Sequence, residues 1–105
     1  MIDKDLLIAE ELKKRLSNVI ELIDFRVFGS RARGDADEYS DLDVFLEVET
    51  LDKERKDMIS DIVWEVGFKY YLVISPIVFT RDEIENSPLR SSSIIKSVTE
   101  EGIRI

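Results

Sequence analysis

The chain has 105 residues, 44% of them apolar, with a formal charge of −8 and neither cysteine nor histidine. That composition predicts one domain, residues 1–105, around one modest core, and excludes a disulfide, a thiolate metal site, the usual neutral-pH base and the commonest zinc ligand. A chain this acidic is not expected to bind DNA or RNA directly, although a metal-chelated nucleotide remains compatible.

No apolar run is long enough to span a membrane. The polar start Met1-Ile2-Asp3-Lys4-Asp5 has no signal-peptide pattern, so the cytoplasm is the expected location. Residues 3 to about 22 read as a first helix: Ile8, Leu12, Leu16, Val19, Ile20 and Ile23 recur at intervals of three and four. Asp3 is placed to cap it, and Glu10, Glu11, Lys13, Lys14 and Arg15 form its wet face. A short apolar strand follows and ends at Val27-Phe28.

Gly29-Ser30 then forms a turn. Gly29 lets backbone approach a ligand closely because it has no Cβ, and Ser30 suits the N-cap of a short helix over Arg31-Ala32-Arg33. A helix N-terminus with free N–H groups attracts anions, and the two arginines add positive charge. Residues two apart on a helix diverge, so at most one of Arg31 and Arg33 is expected to reach the same ligand. Asp35-Ala36-Asp37-Glu38-Tyr39-Ser40 reads as an acidic loop whose aspartates serve turns rather than a metal.

From Asp41 to Val48 the residues alternate. Leu42, Val44, Leu46 and Val48 share one strand face, and Asp41, Asp43, Phe45 and Glu47 the other. Asp41 and Asp43 project from the same face about 7 Å apart along the strand. Two carboxylates so close repel unless a cation lies between them, and Mg²⁺ suits that position. It takes oxygen ligands, is often held by one or two carboxylates and completes its octahedron with water and substrate phosphates. An Asp-x-Asp alone is often a solvated turn, and so is Gly-Ser alone. In this order they point to phosphoryl or nucleotidyl transfer, with the turn at a triphosphate and the aspartates at its metal.

The rest of the chain reads as packing. Residues 51 to about 67 predict a helix with Leu51, Met58, Ile59, Ile62, Val63 and Val66 as its apolar stripe, Asp52 near its start and Gly67 as its stop. Trp64 lies beside that stripe and reads as a boundary packing residue rather than a base-stacking platform. A strand is placed at Leu72 to Phe79, and Pro76 argues for a sheet edge or a bulge. Residues 81–85 suggest one helical turn. Ser87-Pro88 opens a helix to about Glu101, with Ile94, Ile95 and Val98 as its contacts and Gly102 as its stop, and Ile103-Arg104-Ile105 suggests a terminal strand.

Phe28-Gly29-Ser30-Arg31-Ala32-Arg33-Gly34 followed by Ser40-Asp41-Leu42-Asp43 resembles the minimal nucleotidyltransferases of the DNA polymerase beta-like superfamily, over nearly the whole chain. The resemblance implies an α+β fold with a two-layer arrangement, in which helices cover a mixed sheet of three or four strands. It implies a transfer of NMP, AMP from ATP or another NTP, to a hydroxyl acceptor with one or two Mg²⁺ ions. Asp41 and Asp43 would be the catalytic metal ligands, and Gly29, Ser30 and Arg31 or Arg33 would hold the phosphates. It further implies a small all-helical HEPN partner, toward which such proteins act as antitoxins, in some cases by attaching AMP to it. A homo-oligomer is left open.

Active superfamily members usually carry a third carboxylate on a later strand. Here that strand contains no Asp or Glu, and Ser75 is the small polar residue near the position. Glu47 is four residues beyond Asp43, about 13 Å along the strand, too far to share a metal easily. Three explanations follow: a partner supplies the third acid, two aspartates suffice for a slow reaction, or the protein acts by contact alone.

Overall fold

The computed structural model describes residues 1–105. A four-stranded mixed sheet in the order β3-β2-β1-β4 carries helices, as the resemblance implied. Helix α1 spans Asp3–Ser17, strand β1 Leu22–Phe28, helix α2 Gly29–Arg33 and strand β2 Leu42–Val48. Helix α3 follows at Lys53–Tyr70, strand β3 at Ile74–Thr80, helix α4 at Arg81–Asn86, helix α5 at Ser93–Glu101 and strand β4 at Ile103–Arg104. Strand β1 pairs antiparallel with both β2 and β4, whereas β3 runs parallel to β2 after the α3 crossover.

The alternation of β2 fixes the layers. Leu42, Val44, Leu46 and Val48 are fully buried beneath α1 and α3, where they meet Ile8, Leu12, Leu16, Ile59 and Val66. Burial of this apolar face provides most of the driving force for the fold. On the opposite face Asp43 and Glu47 are half-buried, while Phe45 is covered and packs against Phe79 of β3, ring centroids 6.1 Å apart. Strand β3 lies at the sheet edge, where Pro76 withholds no ladder hydrogen bond from a second neighbour.

Several local expectations are corrected. Helix α1 stops at Ser17, and Ile20 reaches the core from the turn that follows, its N–H donating to the Leu16 carbonyl. Asp3 lies inside the first turn and does not cap it; the N-cap is Ile2, without a side-chain hydrogen bond. Helix α3 runs three residues beyond Gly67 and ends at Tyr71, which adopts a left-handed φ of 54°. The helix projected over 87–101 is interrupted: a 3₁₀ turn at Pro88–Ser91 precedes Ser92, whose hydroxyl accepts from the Ile95 N–H and starts α5 afresh. Local side-chain capping by serine competes with helix continuation.

Trp64 is not a packing residue. It is 66% exposed and stacks on the equally exposed Phe68, centroids 5.2 Å apart. Both border an open apolar groove between α3 and β3, whose walls include Ile59, Val63, Pro76 and Val78. None of Gly29, Asp41 or Asp43 lines it.

Candidate nucleotidyl-transfer site

The β1–α2 turn and the start of β2 come together at one end of the sheet. Phe28 and Asp43 are register partners across the β1–β2 ladder, so the turn after Phe28 lies against Asp43. Gly29 adopts a φ of +75°, a left-handed conformation that glycine enters without steric cost. A Cβ at residue 29 would stand 2.4 Å from Asp43 Oδ2 and 3.3 Å from its Cγ. The glycine therefore admits the carboxylate against the backbone, which is a more specific requirement than a turn alone.

Ser30 is not the N-cap of α2. The helix begins at Gly29 with extended Phe28 before it, and Ser30 lies within it, its carbonyl accepting from the N–H groups of Gly34 and Asp35. Gly34, at φ +86°, closes the helix.

Asp41 is exposed just before β2, and Asp43 is half-buried within it. Burial, and secondarily repulsion from Asp41, pushes the Asp43 carboxyl above its ordinary range, while Arg33 opposes the shift. A carboxylate destabilised by burial and by a like charge is relieved by a cation placed between the pair. Across the parallel β2–β3 ladder Asp43 is in register with Ser75, whose hydroxyl donates to Asp41 Oδ2 at 3.2 Å. The serine thus occupies the place where the resemblance asks for a third acid. No group of three acidic side chains is placed so that it could hold a metal ion. The donors present are carboxylate and hydroxyl oxygens, a set that fits a hard cation such as Mg²⁺.

The two arginines part company, as helix spacing implied. Arg31, one of the two arginines expected near the phosphates, is engaged by other partners. It is 8% exposed, and its guanidinium donates to Asp5 Oδ1 at 2.9 Å, to the Ser40 carbonyl at 2.9 Å and to the Glu38 carbonyl at 3.4 Å. Arg33 is exposed and bridges Asp35 and Glu101, each at 3.1 Å; these acids, Asp35 foremost, raise its pKa. Asp37 serves a turn, its Oδ1 accepting from the Tyr39 N–H at 2.8 Å. Asp35 instead forms the ion pair with Arg33. Glu47 faces Asp24 and not the Asp41–Asp43 pair.

Asp5 was the residue missed. It lies at the same helical interval as Ile8, Leu12 and Leu16 and is 3% exposed. A carboxylate on an apolar stripe needs a buried partner, and that was the available signal.

The nucleotidyltransferase domain family matches residues 7–105, a span that holds the Gly-Ser turn, both aspartates and the whole sheet. The chain belongs to this family. A family relative from Methanocaldococcus jannaschii, MJ0141, whose name proposes a protein adenylyltransferase, is 38% identical over 91 residues, covering 75% of this chain and 90% of the relative. Two solved structures share the fold. One is a toxin-antitoxin with AMP-PNP, matched with a TM-score of 0.62 at 18% identity over 99% of this chain and 72% of that one. The other is a tri-AMPylated Shewanella oneidensis HEPN toxin in complex with an MNT antitoxin, matched with a TM-score of 0.57 at 18% identity over 95% of this chain and 70% of that one.

Proposed function

We propose that this family member is an Mg²⁺-dependent nucleotidyltransferase that moves AMP from ATP onto a hydroxyl of a protein partner, acting as the antitoxin of a HEPN-type toxin. The observation that carries the reading is the closure of Gly29 on Asp43 beside Asp41, which joins the phosphate turn and the carboxylate pair in one place. The name of the Methanocaldococcus jannaschii relative and the AMPylated toxin of the Shewanella oneidensis complex support the choice of AMP and of a protein acceptor.

Asp41 and Asp43 would hold the metal, which supplies charge neutralisation at the phosphates. The Gly29-Ser30 backbone would lie against the phosphates, and exposed Arg33 would add positive charge. The acceptor oxygen bonds to the α-phosphorus, the α–β bridging P–O bond breaks, pyrophosphate leaves with its electron pair and the hydroxyl proton passes to water. The protein contributes position and electrostatics rather than covalent chemistry.

Calorimetric titration of Mg·ATP into the protein tests this, with EDTA and Asp43→Asn as controls. Metal-dependent binding that the substitution abolishes is the expected result. Absence of binding at millimolar ligand refutes it. A second reading is favoured by Ser75 standing where a third acid is expected: a binding module that neutralises its partner by contact. Under that reading Asp43→Asn still neutralises the partner, and loss of neutralisation by the folded variant rules it out.

A further inference from the structure

Asp5 and Arg31 are the only polar or charged residues buried in the chain. They join the first helix to α2 across 26 residues through a 2.9 Å ion pair. A buried ion pair is weak evidence for stability, because desolvation opposes the attraction and well-packed apolar residues often serve as well. Its retention therefore asks for another role, and the remaining donors of Arg31 indicate one. Nε holds the carbonyl of Ser40, the residue immediately before Asp41, and Nη2 approaches the carbonyl of Glu38.

The start of the acidic loop is held by the Asp35 N–H on the Ser30 carbonyl and by the exposed Arg33–Asp35 pair. Its internal bonds run between Asp37, Tyr39 and Ser40 and are exposed. The next firm anchor is the Leu42 N–H, which donates to the Val73 carbonyl at 2.9 Å. The backbone of Asp41 is thus held between two clamps, Arg31 on Ser40 and β3 on Leu42, while its carboxylate accepts from the Ser75 hydroxyl. Asp5 orients the first clamp by fixing the guanidinium plane, as an outer partner fixes a ligand to a metal.

We propose that Arg31, oriented by Asp5, is a positioning residue that holds the backbone ahead of Asp41 and so sets this carboxylate relative to Asp43. The proposal rests on the metal-nucleotide reading of the site, but its structural half is testable without any ligand. Replacing the pair together, Asp5→Leu with Arg31→Met, avoids stranding a buried charge. Arg31→Lys keeps the charge opposite Asp5 but lacks the guanidinium fork that reaches the carbonyls.

Two measurements decide it. The first is amide hydrogen exchange of Tyr39 and Ser40 against that of core amides such as Leu46. In both variants the loop amides are expected to exchange at least about tenfold faster while the core amides are unchanged, as befits local rather than global opening. The second is the affinity for Mg·ATP, which is expected to fall between about 10- and 100-fold. A folded variant with wild-type loop exchange overturns the proposal, and so does one that binds Mg·ATP as the wild type does. If the double variant does not fold, Arg31→Lys decides by the same two readouts. A wild-type protein that fails to bind Mg·ATP removes the proposed function instead, and the exchange measurement still decides the clamp.

Discussion

Gly29→Ala should disable the site with little damage to the fold, and Gly34→Ala supplies its control. Both glycines have left-handed φ, +75° and +86°, so each alanine carries the same backbone strain of about 1–2 kcal/mol. For a domain of this size that lowers the melting temperature by about 4–8 °C per kcal/mol. The two differ in what the new methyl meets. At residue 34 nothing lies within 4 Å, whereas at residue 29 Asp43 Oδ2 is 2.4 Å away. To reach ordinary contact at 3.4 Å the carboxylate oxygen must retreat by about 1 Å, and disturbing a metal ligand through its neighbours costs about 10- to 100-fold in affinity. Thermal melts and Mg·ATP calorimetry on the two variants separate strain from clash. Similar melting temperatures with a Gly29→Ala variant that binds about 10- to 100-fold more weakly are expected. Equal affinities would refute the claim that the turn and Asp43 form one site.

Other expectations follow from the same geometry. Asp43→Asn should raise the melting temperature of the metal-free protein at pH 7, because burial first and Asp41 second hold the Asp43 carboxyl above its ordinary range. A raised folded pKa means that ionisation destabilises the fold; the gain from Asn is full above that pKa and fades as the pH falls toward the ordinary value of 3.8. Melts at stepped pH check the sign, and a gap that widens on acidification contradicts it. Ser75→Asp should destabilise the metal-free protein by bringing a third negative charge beside Asp41, yet tighten Mg²⁺ binding by about tenfold, equivalent to 1.4 kcal/mol. Calorimetry with Mg²⁺ alone measures it, and unchanged affinity argues against Ser75 as the third position. Gly67→Ala tests packing against propensity: propensity alone favours Ala by about 1 kcal/mol in a helix interior. The new Cβ would lie 2.6 Å from the Leu72 carbonyl, so chemical denaturation should show a loss of stability.

The parts of the fold written in local pattern were legible from the sequence. The two-residue alternation of β2 named both its buried face and the Asp41–Asp43 pair, and the missing N–H of Pro76 asked for an edge or a bulge, of which the sheet shows the edge. Ser75 could be singled out because its strand lacks an acid, and the parallel register with Asp43 explains why that position matters. What escaped depended on tertiary contact. Arg31 reads as a candidate phosphate ligand on a short helix until Asp5, 26 residues earlier, is brought against it. Gly67 reads as a helix stop, but it is there because Leu72 crosses closely over it. Val19 and Ile20 continue the period of α1, yet the chain turns after Ser17 so that β1 can reach the sheet.

The stacking of Trp64 on Phe68 has a spectroscopic consequence. Trp64 is the only tryptophan in the chain, and it looks into solvent from the helix-covered layer of the molecule. Its emission should be red-shifted and readily quenched by acrylamide in the folded state, and should change little on denaturation. Circular dichroism is therefore the better monitor of unfolding. The indole in turn is a built-in reporter of anything that covers the α3–β3 groove, where a blue shift would mark contact without any added label.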